Sequence, residues 1–356
     1  MPKLFITGAT GYIGGDALYA ISNAYPDLSI TALVRNSDKG AKVASQYPKI
    51  RLVYGDLNST DILTTEASQA DVVLHCANAD HEGAAKALIE GLAQKEDKPG
   101  YLIHTSGTGI LSYADYERKS YGVKNEKVYD DWEGIKEVTS LPDTAAHRKV
   151  DKIVLAAGEQ NPGKVFTAIV CPPCIWGPGR GADNQKSMQV YYMTRATLTR
   201  GIGFQVEEGN NLWTEVHVQD LSNVFLALFT AALDGGGKAT WNSEGYYFTE
   251  NGDFVWGDIA RAITKIAFEK KLINSLDIDN ISTKKADELT RHGSYLWGMN
   301  SRCRAFRARK LLGWEPKQKG LFESLPEIVD EEARELGRTK NHAEKAAGEH
   351  GMGVHA

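Results

Sequence analysis

A chain of 356 residues with 42% hydrophobic and 24% charged residues has the length for roughly two domains and the balance of an ordinary globular protein. A net charge of −5 without a basic stripe excludes nucleic acid as an expected partner, and no run approaches the ~20 apolar residues of a membrane span. The scattered cysteines (Cys76, Cys171, Cys174, Cys303) exclude a disulfide framework, and a first strand this early leaves no signal peptide, so the expected setting is the cytoplasm.

The first half alternates short apolar runs with helical segments. KLFITGA (3–9) predicts a strand, after which Ile13, Ala17, Ile21 and Ala24 share one helical face. Further strands are expected in SITALVR (29–35), RLVYGD (51–56), DVVLHCA (71–77), YLIHTSG (101–107) and VFTAIVC (165–171). Buried runs separated by helices indicate an α/β fold: a doubly wound (Rossmann) parallel sheet covered on both faces. The rhythm breaks at 108–143, a polar stretch with tyrosines at 113, 116, 121 and 129 that is too long for a simple loop. Beyond about 175, tryptophans recur at 176, 213, 241, 256, 297 and 314. The expected division is a dinucleotide-binding domain over 1–175, with 108–143 inserted and a helix over 219–234 packing back on it. Residues 176–335 then form mainly a smaller substrate-binding domain, and 336–356 a polar tail.

Gly8-Ala9-Thr10-Gly11-Tyr12-Ile13-Gly14 joins the first strand to the first helix. Its glycines allow a tight turn and close approach of backbone amides to a pyrophosphate, which the helix N-terminus attracts. The spacing is GxxGxxG, and the plainer alternative is close helix–strand packing alone. Arg35 ends the second strand, where an NAD site usually carries an acid for the ribose hydroxyls. A guanidinium suits a 2′-phosphate instead, so NADP is the expected cofactor, with Lys39 adding charge. Asp56 and Leu57 are expected near the adenine, Ala77 and Asn78 beside the pyrophosphate and ribose, and Thr105 at the fifth strand's end joins this set. The Cys171-x-x-Cys174 spacing encloses two prolines and has no second pair, so no metal is expected. Asp220 reads as a helix N-cap and His217 as a strand residue.

Four stretches in order carry a resemblance: GATGYIGG (8–15), CPPCIWGPG (171–179), EVHVQDLSNVFLAL (215–228) and LLGWEPK (311–317). Together they resemble the extended short-chain dehydrogenase/reductase superfamily, the NAD(P)-dependent epimerase/dehydratase group, over residues 1 to about 330. The resemblance implies that the N-terminal part holds NADP, that Pro172 and Pro173 line the nicotinamide face, and that the C-terminal part forms a substrate pocket. Trp176, Tyr191, Tyr192 and Trp213 are expected to make that pocket aromatic and apolar.

In that superfamily a tyrosine passes a proton at the substrate oxygen, a lysine four residues on lowers its pKa, and a serine or threonine after the fifth strand orients the substrate. Here the matching stretch, TAAHRKVDKIVL (144–155), has no tyrosine. In one register Arg148 replaces tyrosine and Lys152 is the lysine; arginine stays protonated and cannot act as a base. In the other, His147 replaces tyrosine and Asp151 replaces lysine, a pair with sounder acid–base chemistry. Gly107 falls at the orienting serine, with Ser106 and Thr108 as substitutes. Tyr113 or Tyr116 is a further source of a proton, and a capped, solvated first turn is the bland alternative. The leading expectation is an NADP-dependent oxidoreductase for a small or mid-sized carbonyl or alcohol, similar overall to dihydroflavonol-reductase-like members. The alternatives are a non-reductive epimerase, dehydratase or isomerase, and a regulator resembling NmrA-like proteins. A homodimer is implied by resemblance only.

Overall fold

The computed structural model describes residues 1–339, so the expected tail lies, from residue 340 on, outside the described residues. At its centre is β1 (Lys3–Thr7), with β2 (Ser29–Val34) and β3 (Arg51–Tyr54) on one side. On the other side follow β4 (Val72–His75), β5 (Gly100–Thr105), the strand Val165–Cys171 and the strand Tyr246–Phe248. All seven strands run parallel. Six were legible as apolar runs. The seventh is three residues long, has no periodic pattern, and arrives from the far half of the chain, yet Tyr246, Tyr247 and Phe248 are all fully buried.

Helices α1 (Tyr12–Ala24), α2 (Ser37–Gln46), α3 (Thr60–Gln69) and α4 (Glu82–Ala93) connect the first strands. Strand order reverses between β1 and β4. Connections leaving to opposite sides open a crevice there, at the carboxyl ends of the strands.

The 108–143 segment is ordered by distant packing. It contains a 3-10 turn (Thr108–Ser112), helices Tyr113–Arg118 and Ile135–Thr139, and the strand Tyr129–Asp130 paired with Cys303–Arg304. Buried Asp115 accepts from the backbone and side-chain nitrogens of Asn300 at 2.8 and 2.7 Å. Partners so remote in sequence leave no local signal.

Trp176, Trp213, Trp256 and Trp297 mark a second core rather than a pocket wall. Trp176, Phe204, Trp256 and Trp297 are fully buried among helices Gln189–Arg200, Trp256–Glu269 and Leu321–Glu335. Of the expected pocket aromatics, Trp176, Tyr191 and Trp213 are 1%, 2% and 4% exposed, and Tyr192 alone faces outward. The Trp176 indole N–H donates to Glu215 and that of Trp213 to the Met299 carbonyl, so each ring can be buried whole.

The helix Val218–Leu233 packs on α1, and the cap expected of Asp220 falls to the residue that ends the strand Leu212–His217. His217 is the N-cap, its Nδ1 accepting from Gln219 N at 3.1 Å. Asp220 sits in the first turn and accepts from Lys317 N and Gln318 N, each at 3.0 Å, while the Trp314 indole donates to its carbonyl. The carboxylate thus ties LLGWEPK to the first core. The Cys303–Arg304 strand and Trp314 also return to that core, so the two cores interleave along the chain. Among the described residues no helix is long and apolar enough to cross a membrane.

Candidate active site and dinucleotide groove

The glycine loop is built for close approach. Gly8 takes φ +85°, and a Cβ there would lie 2.5 Å from the Cys76 carbonyl oxygen at the end of β4. A Cβ on Gly14 would lie 2.4 Å from the Gly8 carbonyl oxygen. Gly11 donates to Gly8 O at 2.9 Å and is the N-cap of α1 with no side-chain cap. The first-turn amides of α1 are therefore free to meet a phosphate.

From this loop a groove of about 680 Å³ runs across the carboxyl ends of β1, β2 and β4. Gly8, Thr10, Gly11 and Arg35 line it, as do Asp56, Leu57, Ala77 and Asn78. Tyr12, Ile13, Thr105 and Pro172 are not among the residues lining the groove and make contacts of their own. The Tyr12 hydroxyl donates to the Gly177 carbonyl at 2.6 Å, and Ile13 packs on the core. Buried Thr105 donates to Cys76 Sγ at 3.2 Å, and the Pro172 carbonyl accepts from Thr108 N at 2.9 Å. His81 and Asn184 line the groove without having been foreseen.

The turn after Trp176 closes onto the glycine loop through a network with no sequence signal. Asp16, fully buried in α1, accepts from Arg180 N, Nε and Nη2 at 2.8, 3.0 and 2.7 Å and from Ser222 Oγ at 2.6 Å. Gly181 needs its bareness, since a Cβ there would lie 2.7 Å from Gly15 Cα.

At the helix Arg148–Gln160 the structure separates the two registers. Arg148 is buried and turned away, donating to the carbonyls of Leu141 and Thr139. Lys152 lies at the surface on Asp143, at 2.7 Å. Both are thereby corrected from acid–base candidates to structural residues. Lys152→Ala is expected to leave thermal stability within about 1 kcal/mol, as for an exposed pair, and cofactor affinity unchanged; thermal denaturation and a titration check it.

His147 precedes the helix as its N-cap, with φ +63°. That conformation is uncommon for a residue bearing a side chain, and such outliers collect at functional sites. It also breaks the expected i, i+4 pairing with Asp151, because His147 is not on a helical turn. The imidazole instead bonds Asp80, in the loop after β4, with Nδ1 2.8 Å from Oδ1. Its Nε2 faces Gly107, lying 3.1 Å from where a Cβ would stand. The space left by the missing serine is thus filled by an imidazole nitrogen. Burial pulls the His147 pKa down, but the Asp80 hydrogen bond and charge prevail and hold it above the usual 6.5. The Asp80 carboxyl is held below its ordinary range by the same contact.

Asp151 points inward. Its Oδ2 accepts from Ser106 Oγ at 3.1 Å and from the Tyr246 hydroxyl at 3.0 Å, and burial pushes its pKa up to about 6. Burial keeps the Tyr246 phenol protonated. The lysine position therefore holds a buried carboxyl under two hydroxyl donors, and Ser106 serves that carboxyl. Thr108 is buried in the loop. Tyr116 is exposed and Tyr113 half-buried beside Thr144. A different tyrosine reaches the site: Tyr295 donates to the Gly109 carbonyl at 2.7 Å, two residues beyond Gly107. Among the described residues there is no metal-binding cluster, and all four cysteines are buried thiols.

A family model described as NAD(P)H-binding matches residues 8–133. Oxidase ucsJ of Acremonium sp is 40% identical over 344 residues, spanning 94% of this chain and 99% of its own. Among solved structures, dTDP-glucose 4,6-dehydratase from Bacillus anthracis superposes with a TM-score of 0.64 at 14% identity, covering 93% of this chain and 96% of that one. UDP-glucose 4-epimerase from Thermotoga maritima gives 0.63 at 14% identity, covering 94% and 99%. Such identities speak for the fold alone. The full-length match places the chain in the family that includes oxidase ucsJ, and its sheet order and glycine loop share the fold of those dehydratase and epimerase structures.

Proposed function

We propose that the protein is an NADP-dependent oxidoreductase acting on a small or mid-sized alcohol or carbonyl, with His147 in the proton-transfer role that tyrosine usually holds. The carrying observation is the Asp80–His147 pair, whose Nε2 is aimed at the Gly107 position where the orienting serine would stand. The full-length relative named as an oxidase supports redox chemistry.

A dinucleotide held in this groove would supply the hydride chemistry. Gly8, Gly11 and Gly14 admit the pyrophosphate to the amides of α1. Asp80 holds Nδ1 so that the Nε2 lone pair accepts the substrate hydroxyl proton in oxidation; the imidazolium returns it in reduction. Tyr295, kept protonated by burial, gives its one phenolic proton to the Gly109 carbonyl and so braces the loop beside Gly107.

The choice of NADP rests on Arg35, which is exposed, lines the groove and has no carboxylate partner among the described residues. Arg35→Ala is expected to weaken NADPH about ten- to hundredfold, the value of a charge-assisted pair, and NADH less than twofold. Fluorescence titration reads both; equal affinities in the native protein would remove the NADP reading. The redox reading is tested by following NADPH absorbance with a panel of ketones, aldehydes and alcohols. The buried carboxyl of Asp151 at the lysine position favours a second reading, cofactor held without net turnover in an isomerase, a dehydratase or a regulator. Tight NADPH binding with no consumption by any member of the panel is its signature.

A further inference from the structure

The strap 180–184 crosses the mouth of the groove between the glycine loop and α2. One end is fixed: Arg180 is clamped on buried Asp16, and its carbonyl accepts from Gln46 Nε2 at 2.8 Å. At the other end Asn184 N donates to Thr10 O at 3.2 Å, and Asn184 lines the groove. Between them Asp183, its side chain 8% exposed, forms ion pairs with Lys39 and Lys42 of α2. Lys39 lines the same groove as Arg35. Lys39 and Lys42 are thus already engaged by a carboxylate, whereas Arg35 has no carboxylate partner among the described residues.

We propose that Asp183 is a determinant of cofactor choice: a 2′-phosphate on Arg35 has to compete with the Asp183 carboxylate for Lys39. The inference rests on the dinucleotide reading of the groove and adds a second, opposing element to it. NADPH brings a charge of the same sign as Asp183 to a partly desolvated corner, whereas NADH leaves the ion pairs undisturbed. Asp183 therefore tempers the preference that Arg35 sets, and the strap stays latched over NADH and loosens over NADPH.

Asp183→Asn keeps the size of the side chain and removes its charge. Titrating intrinsic fluorescence with NADPH and NADH, the NADPH-to-NADH affinity ratio is expected to rise roughly three- to thirtyfold, as for one like charge removed a few ångström away. NADH itself should change less than twofold. Lys39→Ala supplies an independent arm, because its NADPH loss should be larger in the Asp183→Asn background than in the native one. Competition by 2′,5′-ADP against ADP should follow the same order. An unchanged or lowered ratio with both cofactors bound overturns this inference alone. A native protein that binds neither NADPH nor NADH overturns the cofactor reading and this inference with it.

Discussion

Replacing His147 by alanine is expected to lower turnover about 10²- to 10⁴-fold, the usual worth of a positioned acid–base group, while NADPH still binds. The pH profile carries a more specific expectation. Asp80 holds the His147 pKa above 6.5 despite the opposing effect of burial, so the inflection belongs above that value. In the oxidative direction neutral imidazole is the active form, and rate rises as pH climbs through the inflection. In the reductive direction imidazolium is the donor, and rate falls over the same interval. Asp80→Asn removes the stabilising charge and leaves burial to act, which moves the inflection downward. The ion pair's contribution to stability follows the same groups. The histidine part is fully present below the unfolded pKa and is lost as pH rises through the raised folded value. The Asp80 part is present above the ordinary carboxylate pKa and is lost as pH falls through the depressed one. An unchanged profile in Asp80→Asn would remove the pair from the mechanism.

Arg180→Ala should be the most destabilising single change outside the hydrophobic cores, costing about 3–5 kcal/mol because it strands a buried carboxylate. Asp16 has no exposed side-chain surface, and Arg180 provides three of the four hydrogen bonds found for it. One of these, from the backbone nitrogen, could persist, and Ser222 would remain. Losing the guanidinium also frees the strap over the groove, so cofactor affinity should fall together with the denaturation midpoint. Asp16→Asn with Arg180→Ala, which removes the charge as well, should recover part of the stability. Chemical denaturation of the single and double variants measures both effects; a loss below about 1 kcal/mol in Arg180→Ala, as for a surface pair, would show that the buried carboxylate is not the cause.

These two sites mark where sequence reading stopped. The sheet and the tight turn after its first strand were legible because each is a local pattern: apolar runs and a glycine spacing. The Asp16–Arg180 clamp spans 164 positions, and no periodicity connects its halves. Asp80 lies 67 positions before His147 and is one of many surface-type aspartates until the fold joins them. The helix text TAAHRKVDKIVL suggested that His147 and Asp151 share a face one turn apart. That inference assumed helical geometry at His147, and its positive φ invalidated the assumption. With His147 outside the helix, Asp151 turned inward to Ser106 and Tyr246, a tyrosine from a strand too short to read. The tryptophans were correctly read as apolar mass, but hydrophobicity does not tell a packed interior from a pocket wall. The satisfied indole N–H groups of Trp176, Trp213 and Trp297 decide for the interior there.

The central claim, that an imidazole held by Asp80 has taken over from tyrosine, is tested most directly by a crystal structure with NADP⁺ bound. The account predicts the 2′-phosphate on Arg35, the nicotinamide beside Pro172 and Gly107, and His147 Nε2 about 3 Å from the substrate oxygen position over the reactive ring carbon. A nicotinamide remote from Gly107, or His147 turned away while Tyr113 or Tyr295 alone approaches that position, would contradict it.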